Sequence, residues 1–121
     1  MVVKLETERL ILRKPKLSDA EDWAEGMGDI DVSRRVSGAP HPYTLTDAKK
    51  QIDKKLIKMK KKDFEKFSFV IVLKNENKVI GSITLGNIDR KNGICSSGSW
   101  INKRYWKKGY MTEAKIATNN F

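Results

Sequence analysis

A chain of 121 residues with 25 lysines and arginines against 15 acidic residues carries a formal net charge of +10, and 39% of it is hydrophobic. That size suits one compact domain over residues 1–121. No apolar run of about 18 residues is there to span a membrane, and the opening MVVKLETERL, charged by its fourth residue, does not read as a secretion signal. The lone cysteine, Cys95, excludes an intrachain disulfide and offers no metal-ligand spacing, so the expectation is a reducing, cytoplasmic setting with no metal site.

In chain order, LETERLILRKPK alternates Leu5, Thr7, Arg9, Ile11 and Arg13 against Glu6, Glu8, Leu10, Leu12 and Lys14, which predicts one strand closed by Pro15. LSDAEDWAEGM follows as a short helix: Ser18 and Glu21 have the spacing of a capping box, Trp23 reads as core, and the helix ends near Gly26 and Gly28. Residues 29–43 read as an irregular loop that holds the only histidine, His41, between Pro40 and Pro42. A lone histidine so placed is read as a surface residue rather than an acid or base, and Arg34 and Arg35 as solvated rather than as contacts to an acidic peptide.

A second helix is predicted from Thr44 to about Lys62, with Ala48, Ile52, Leu56 and Met59 on one apolar stripe. Lysine dominates its other side and the segment through Lys66, opposed only by Asp53, Asp63 and Glu65. A solvated face is the plainer reading. A face that binds RNA or another polyanion is the alternative, although arginine, which reads bases bidentately, is scarce there. KFSFVIVLK and VIGSITLGNI, joined by the polar NENK, predict an antiparallel hairpin, and ICSSGSWI a third strand. Their apolar runs imply a sheet covered at least in part on both faces. A last helix starts around Met111. The pattern is therefore an α/β sandwich and not a doubly wound parallel sheet.

YWKKGYMTEAK places a basic loop between the third strand and this helix. The first amides of a helix have no internal partner and lie at the positive end of its dipole. Gly109 permits close approach, Lys107 and Lys108 add charge, and the amides from about Lys107 to Thr112 make a cradle of the kind that holds a pyrophosphate.

SGSWINKRYWKKGYMTEAKIA resembles the acetyl-CoA-binding segment of the GNAT N-acetyltransferases, in their RimJ/RimL-like ribosomal-protein N-terminal acetyltransferase branch. In that branch a strand ending in Gly-Tyr-Trp leads into Tyr-Trp-Gly-Lys-Gly-Tyr-Ala-Thr-Glu-Ala. Here Gly98, Ser99 and Trp100 precede Tyr105, Trp106, Lys108, Gly109, Tyr110, Thr112, Glu113 and Ala114. LETERLILRKPKLSDAEDW and FVIVLKNENKVIGSITLGNID resemble the family's start and central hairpin, so the likeness runs in order through nearly the whole chain. It implies the acyl-CoA N-acyltransferase fold, a mixed and mostly antiparallel sheet flanked by helices, present as its N-terminal two-thirds without the final strands and helix.

The resemblance also implies a function: acetyl transfer from acetyl-CoA to a primary amine such as a protein N-terminus, needing no metal. Trp100, Ile101 and Asn102 would line the pantetheine arm, while Lys107, Lys108, Gly109, Tyr110, Met111 and Thr112 would cradle the phosphates. The chain departs from the family's Arg/Gln-x-x-Gly-x-Gly/Ala pattern at Trp106 and Met111, and Lys107 replaces a usual glycine. Met111 must turn its side chain away from the phosphates. Where the branch often has a glutamate suited to act as general base, this chain has Cys95, Ser96 and Ser97, so the catalytic residue is unassigned. Cys95 reads as a half-buried strand residue rather than a nucleophile, Glu113 as a complement to the helix dipole, and Trp100 and Trp106 as cofactor frame or core alike. Two rivals remain: a basic polyanion-binding module, and an inactive fragment or partner subunit that forms a homodimer through an exposed strand edge.

Overall fold

Alternate side chains of SFVIVL, residues 68–73, project to opposite faces of a sheet, and both faces are buried, so no polar alternation is needed in this strand. The computed structural model describes residues 4–35, 42–59, 67–89 and 93–119. Five strands run in the order β1 (Lys4–Glu6), β2 (Leu10–Arg13), β3 (Phe67–Leu73), β4 (Lys78–Asp89) and β5 (Gly93–Ile101), and each neighbouring pair is antiparallel. On one face, Phe69, Ile71 and Leu73 join Leu10, Leu12, Ile80, Ile83 and Ile101 beneath Ala114 of helix α4 (Tyr110–Asn119). On the other, Val70, Val72 and Val79 pack with Trp23 and Met27 of α1 (Ala20–Met27) and with Ala48 and Ile52 of α3 (Leu45–Met59). The result is a three-layer α/β sandwich whose central strand is covered from both sides. Among the described residues no helix is long and apolar enough to cross a membrane.

The N-terminal segment departs from the single strand its alternation predicts. It turns back at Thr7–Arg9, so β1 pairs with β2 as Leu5 opposite Leu12. The turn is closed by the Thr7 amide donating to the Leu10 carbonyl at 2.9 Å, with no glycine or proline to announce it. The helix entry also differs. In place of the Ser18–Glu21 box, the Asp19 carboxylate accepts from the Lys16 amide at 2.8 Å and from both terminal nitrogens of Arg13 at 2.9 and 2.8 Å. Asp19 is buried, and its carboxylate, paired with the Arg13 guanidinium, accepts from the amide of Lys16, three residues before it, so the turn starts two residues earlier than the Ser18 cap would place it. Hydrogen bonding to Asp19 holds Arg13 above its ordinary pKa despite partial burial.

The expected loop over residues 29–43 contains a one-turn helix α2 (Ile30–Ser33), started by Asp29 accepting from the Asp31 amide at 2.9 Å. Helix α3 is entered through a reciprocal cap: the Thr44 hydroxyl accepts from the Asp47 amide at 3.2 Å, and Asp47 accepts from the Thr44 amide at 2.9 Å. Lys49, Lys50 and Lys54 are exposed as expected, but Lys55 bends to the sheet and donates to the Thr84 hydroxyl at 2.9 Å. His41 and residues 60–66 lie outside the described residues, as do the side chains of Cys95, Ser96 and Ser97.

Candidate functional site

β5 ends the sheet, and no described strand pairs with its outer edge. The Asn102 amide donates to the Ile80 carbonyl of β4 at 2.7 Å. The Ile101 carbonyl shares that trans peptide, so it points the other way, off the sheet. In an extended strand the Ile101 amide points to the same outer side as its carbonyl. Trp106 uses this exit: its indole N–H donates to the Ile101 carbonyl at 2.7 Å. The ring therefore lies beside the strand end, while the Ile101 amide stays directed outward. The Arg35 guanidinium lies over the Trp106 ring at 4.7 Å.

Trp100 leaves the strand on the α1 face. It meets Trp23 edge-on at 5.3 Å between ring centroids and lies against Gly26, where an added Cβ would come within 2.3 Å of its ring. Only glycine lets the indole reach this depth. Trp23 is fixed in turn by donating to the Tyr43 hydroxyl at 3.1 Å. The Trp100 indole nitrogen is buried without an acceptor among the described residues.

The loop after Tyr105 takes two left-handed steps, with φ at 63° for Lys107 and 81° for Gly109. These steps set the entry into α4. The first intrahelical bond runs from the Glu113 amide to the Gly109 carbonyl at 3.0 Å. Gly109 is therefore the N-cap, and the amides of Tyr110, Met111 and Thr112 have no intrahelical acceptor. A cap of serine or aspartate would take one of them with its side-chain oxygen, and glycine cannot. Met111, the apparent obstacle, packs its side chain against the core on the α4 face.

Strand edge and helix end open into one cleft of about 360 Å³. Of the nine residues singled out in the sequence, Trp100, Ile101, Lys107, Gly109, Tyr110, Met111 and Thr112 line it. Asn102 and Lys108 do not. The Asn102 side chain is buried, accepting from the Arg104 amide and donating to Glu25, each at 3.1 Å; the Lys108 carbonyl accepts from Arg9 at 3.0 Å. Val32, Arg35, Ser99, Tyr105 and Trp106 complete the walls; Trp106 had been read as cofactor frame or core alike, and the other four were not foreseen there. For Ser99 the signal was present: two residues from Ile101 on the same strand, it shares the outward backbone direction.

Glu113 also does more than complement the dipole. Its carboxylate accepts from the Thr7 hydroxyl, from the Arg9 amide at 3.1 Å and from Arg9 Nε at 2.7 Å. Burial would raise its pKa, but these hydrogen bonds together outweigh burial and hold it below the ordinary glutamate value. The same contact raises Arg9.

The model of the Acetyltransferase (GNAT) domain family matches residues 9–121. An uncharacterized N-acetyltransferase, p20, of Bacillus licheniformis is 31% identical over 111 residues, which cover 91% of this chain and 60% of that protein. The ribosomal-protein-S5-alanine acetyltransferase of Vibrio fischeri superposes with a TM-score of 0.70 at 26% identity, covering 98% of this chain and 66% of that one. The Microcin C7 self-immunity acetyltransferase MccE, solved with acetyl-CoA and AMP, shares the fold with a TM-score of 0.73 at 19% identity, covering 94% and 62%. The chain thus spans about three-fifths of the length of the curated relative it matches. With the family's model matching residues 9–121, this chain belongs to the GNAT acetyltransferase family.

Proposed function

We propose that the cleft binds acetyl-CoA and serves transfer of the acetyl group to a primary amine of the kind a protein N-terminus presents. The observation that carries this reading is the uncapped start of α4: three amides without intrahelical acceptors, next to a strand edge whose Ile101 amide points outward. Such a helix end favours a pyrophosphate, and Lys107 beside it adds positive charge. The open edge suits the amides of a pantetheine arm, which pair with a strand as another strand would. The residues therefore fit the group. Acetyl-CoA supplies an activated thioester: the amine nitrogen bonds to the acetyl carbon, the carbon–sulfur bond breaks, and the amine gives up a proton while the thiolate accepts one. This chain binds and orients, and an outward strand amide at the edge is suited to donate to the carbonyl oxygen as it gains charge. The S5-alanine acetyltransferase among its structural relatives supports a protein N-terminus as acceptor.

The test is incubation with acetyl-CoA and a peptide bearing a free α-amine, read by mass spectrometry, beside a peptide whose only amine is a lysine side chain. Acetylation of the α-amine, abolished in Gly109→Glu, is the expected result. Binding of CoA without acetylation of either peptide would contradict the transfer.

A further inference from the structure

The cradle is held from outside by the N-terminal hairpin turn, a segment at the far end of the chain. Arg9 sends Nη1 to the Lys108 carbonyl at 3.0 Å and Nε to Glu113 at 2.7 Å, and its guanidinium carbon lies 4.4 Å from the centroid of the Tyr110 ring. One planar group therefore touches the residue before the N-cap, the first helical residue and the fourth. Thr7 secures the other oxygen of Glu113, so the carboxylate is clamped between the turn and the helix.

The contact with Lys108 bears most on binding. A trans peptide is planar, so a carbonyl held on one side turns the following N–H to the other. With the Lys108 carbonyl fixed on Arg9, the Gly109 amide is turned away from Arg9. If that peptide flipped, a carbonyl oxygen would face the bound phosphate in place of a donor. Gly109, at φ of 81°, has the freedom to allow such a flip. Something outside the loop must choose between the two orientations.

We propose that Arg9 is a positioning residue for the pyrophosphate cradle, fixing the Lys108–Gly109 peptide so that its N–H serves the anion, with Thr7 and Glu113 holding Arg9 in place. This rests on the reading of the cleft as an acetyl-CoA site. It gives the turn a role in ligand affinity that no direct contact with the ligand supplies.

The experiment is calorimetric titration of CoA into the 121-residue chain, comparing wild type, Arg9→Ala, Arg9→Lys and Gly109→Glu, each confirmed folded by circular dichroism. Arg9→Ala is expected to lose about tenfold in affinity, the change that follows loss of one charge-assisted hydrogen bond. Ethylguanidinium at tens of millimolar should restore part of that loss, and Arg9→Lys, which lacks the planar fork, should not restore it. Wild-type affinity in Arg9→Ala, with binding abolished in Gly109→Glu, overturns the brace and leaves the site standing. Absence of CoA binding by the wild type overturns both. If Arg9→Ala does not fold, Glu113→Gln takes its place and is expected to weaken binding several-fold; unchanged affinity there overturns the proposal.

Discussion

Gly109 and Lys107 share a left-handed backbone but not its cost. An L-residue pays roughly 1–2 kcal/mol for that conformation and glycine pays almost none. Lys107→Gly is therefore expected to leave the melting temperature unchanged or raise it, and a clear fall would contradict the loop geometry. Gly109→Ala should destabilise by about 1–2 kcal/mol in urea unfolding, through backbone strain alone, since the nearest atom to an added Cβ, a nitrogen of Arg9, is at an ordinary 3.5 Å. Glu113 makes stability depend on pH. Its folded-state pKa lies below the ordinary value of 4.5, so its contribution is present in full above that value and lost as pH falls through the depressed one. Arg9, raised, stays charged throughout that range and adds no slope. Urea melts between pH 6 and 3 should thus show Glu113→Gln less stable than wild type near pH 6, the gap closing as the solution is acidified. A gap that widens on acidification would contradict the clamp. None of this clamp was legible in sequence, because Thr7 and Arg9 meet Glu113 across more than a hundred positions. Local pattern could assign Glu113 only to its own helix.

The elements were legible where one periodicity ran without interruption. The β3–β4 hairpin, β5, α3 and α4 stand close to where alternation and apolar stripes put them. The N-terminal strand failed because alternation continues through Thr7–Arg9, and the turn there is closed by hydrogen bonds rather than by a glycine or proline. The first cap failed for a different reason: Ser18 and Glu21 had suitable spacing, but Asp19 is paired with Arg13, six residues earlier at the end of β2, and accepts from the Lys16 amide. Asp19→Asn, which breaks that bidentate pair, is expected to cost about 3 kcal/mol in urea unfolding, the low end for a broken buried pair because Arg13 is a quarter exposed. A cost below about 1 kcal/mol would mark the pair as a surface one. At Gly26, alanine would push Trp100 out from α1. Overpacking of this kind costs about 1–3 kcal/mol. Because Trp100 also lines the cleft, Gly26→Ala should weaken CoA binding as well as lower stability. The sequence left that indole as core or cofactor frame; the structure shows it packed against Trp23 and lining the cleft.

At the scale of the molecule, the sheet brings the two ends of the chain together. β1 and β2 close one side, and their turn reaches the start of α4, which follows the strand at the opposite end of the sheet. The net charge of +10 favours a polyphosphate ligand, and its long-range part is screened by salt, so CoA affinity should fall as ionic strength rises. The uncapped amides are short-range partners, and part of the binding should persist in high salt. Charge alone, as on the lysines of α3, would give affinity that vanishes with salt and does not depend on Gly109. The most direct test of the central claim is to follow the backbone amide resonances by nitrogen-edited NMR while CoA is added. Saturable shifts concentrated at Gly109, Tyr110, Met111, Thr112 and Ile101 are the expected result. Shifts confined to the lysines of α3, or none at these five amides, would contradict the acetyl-CoA site.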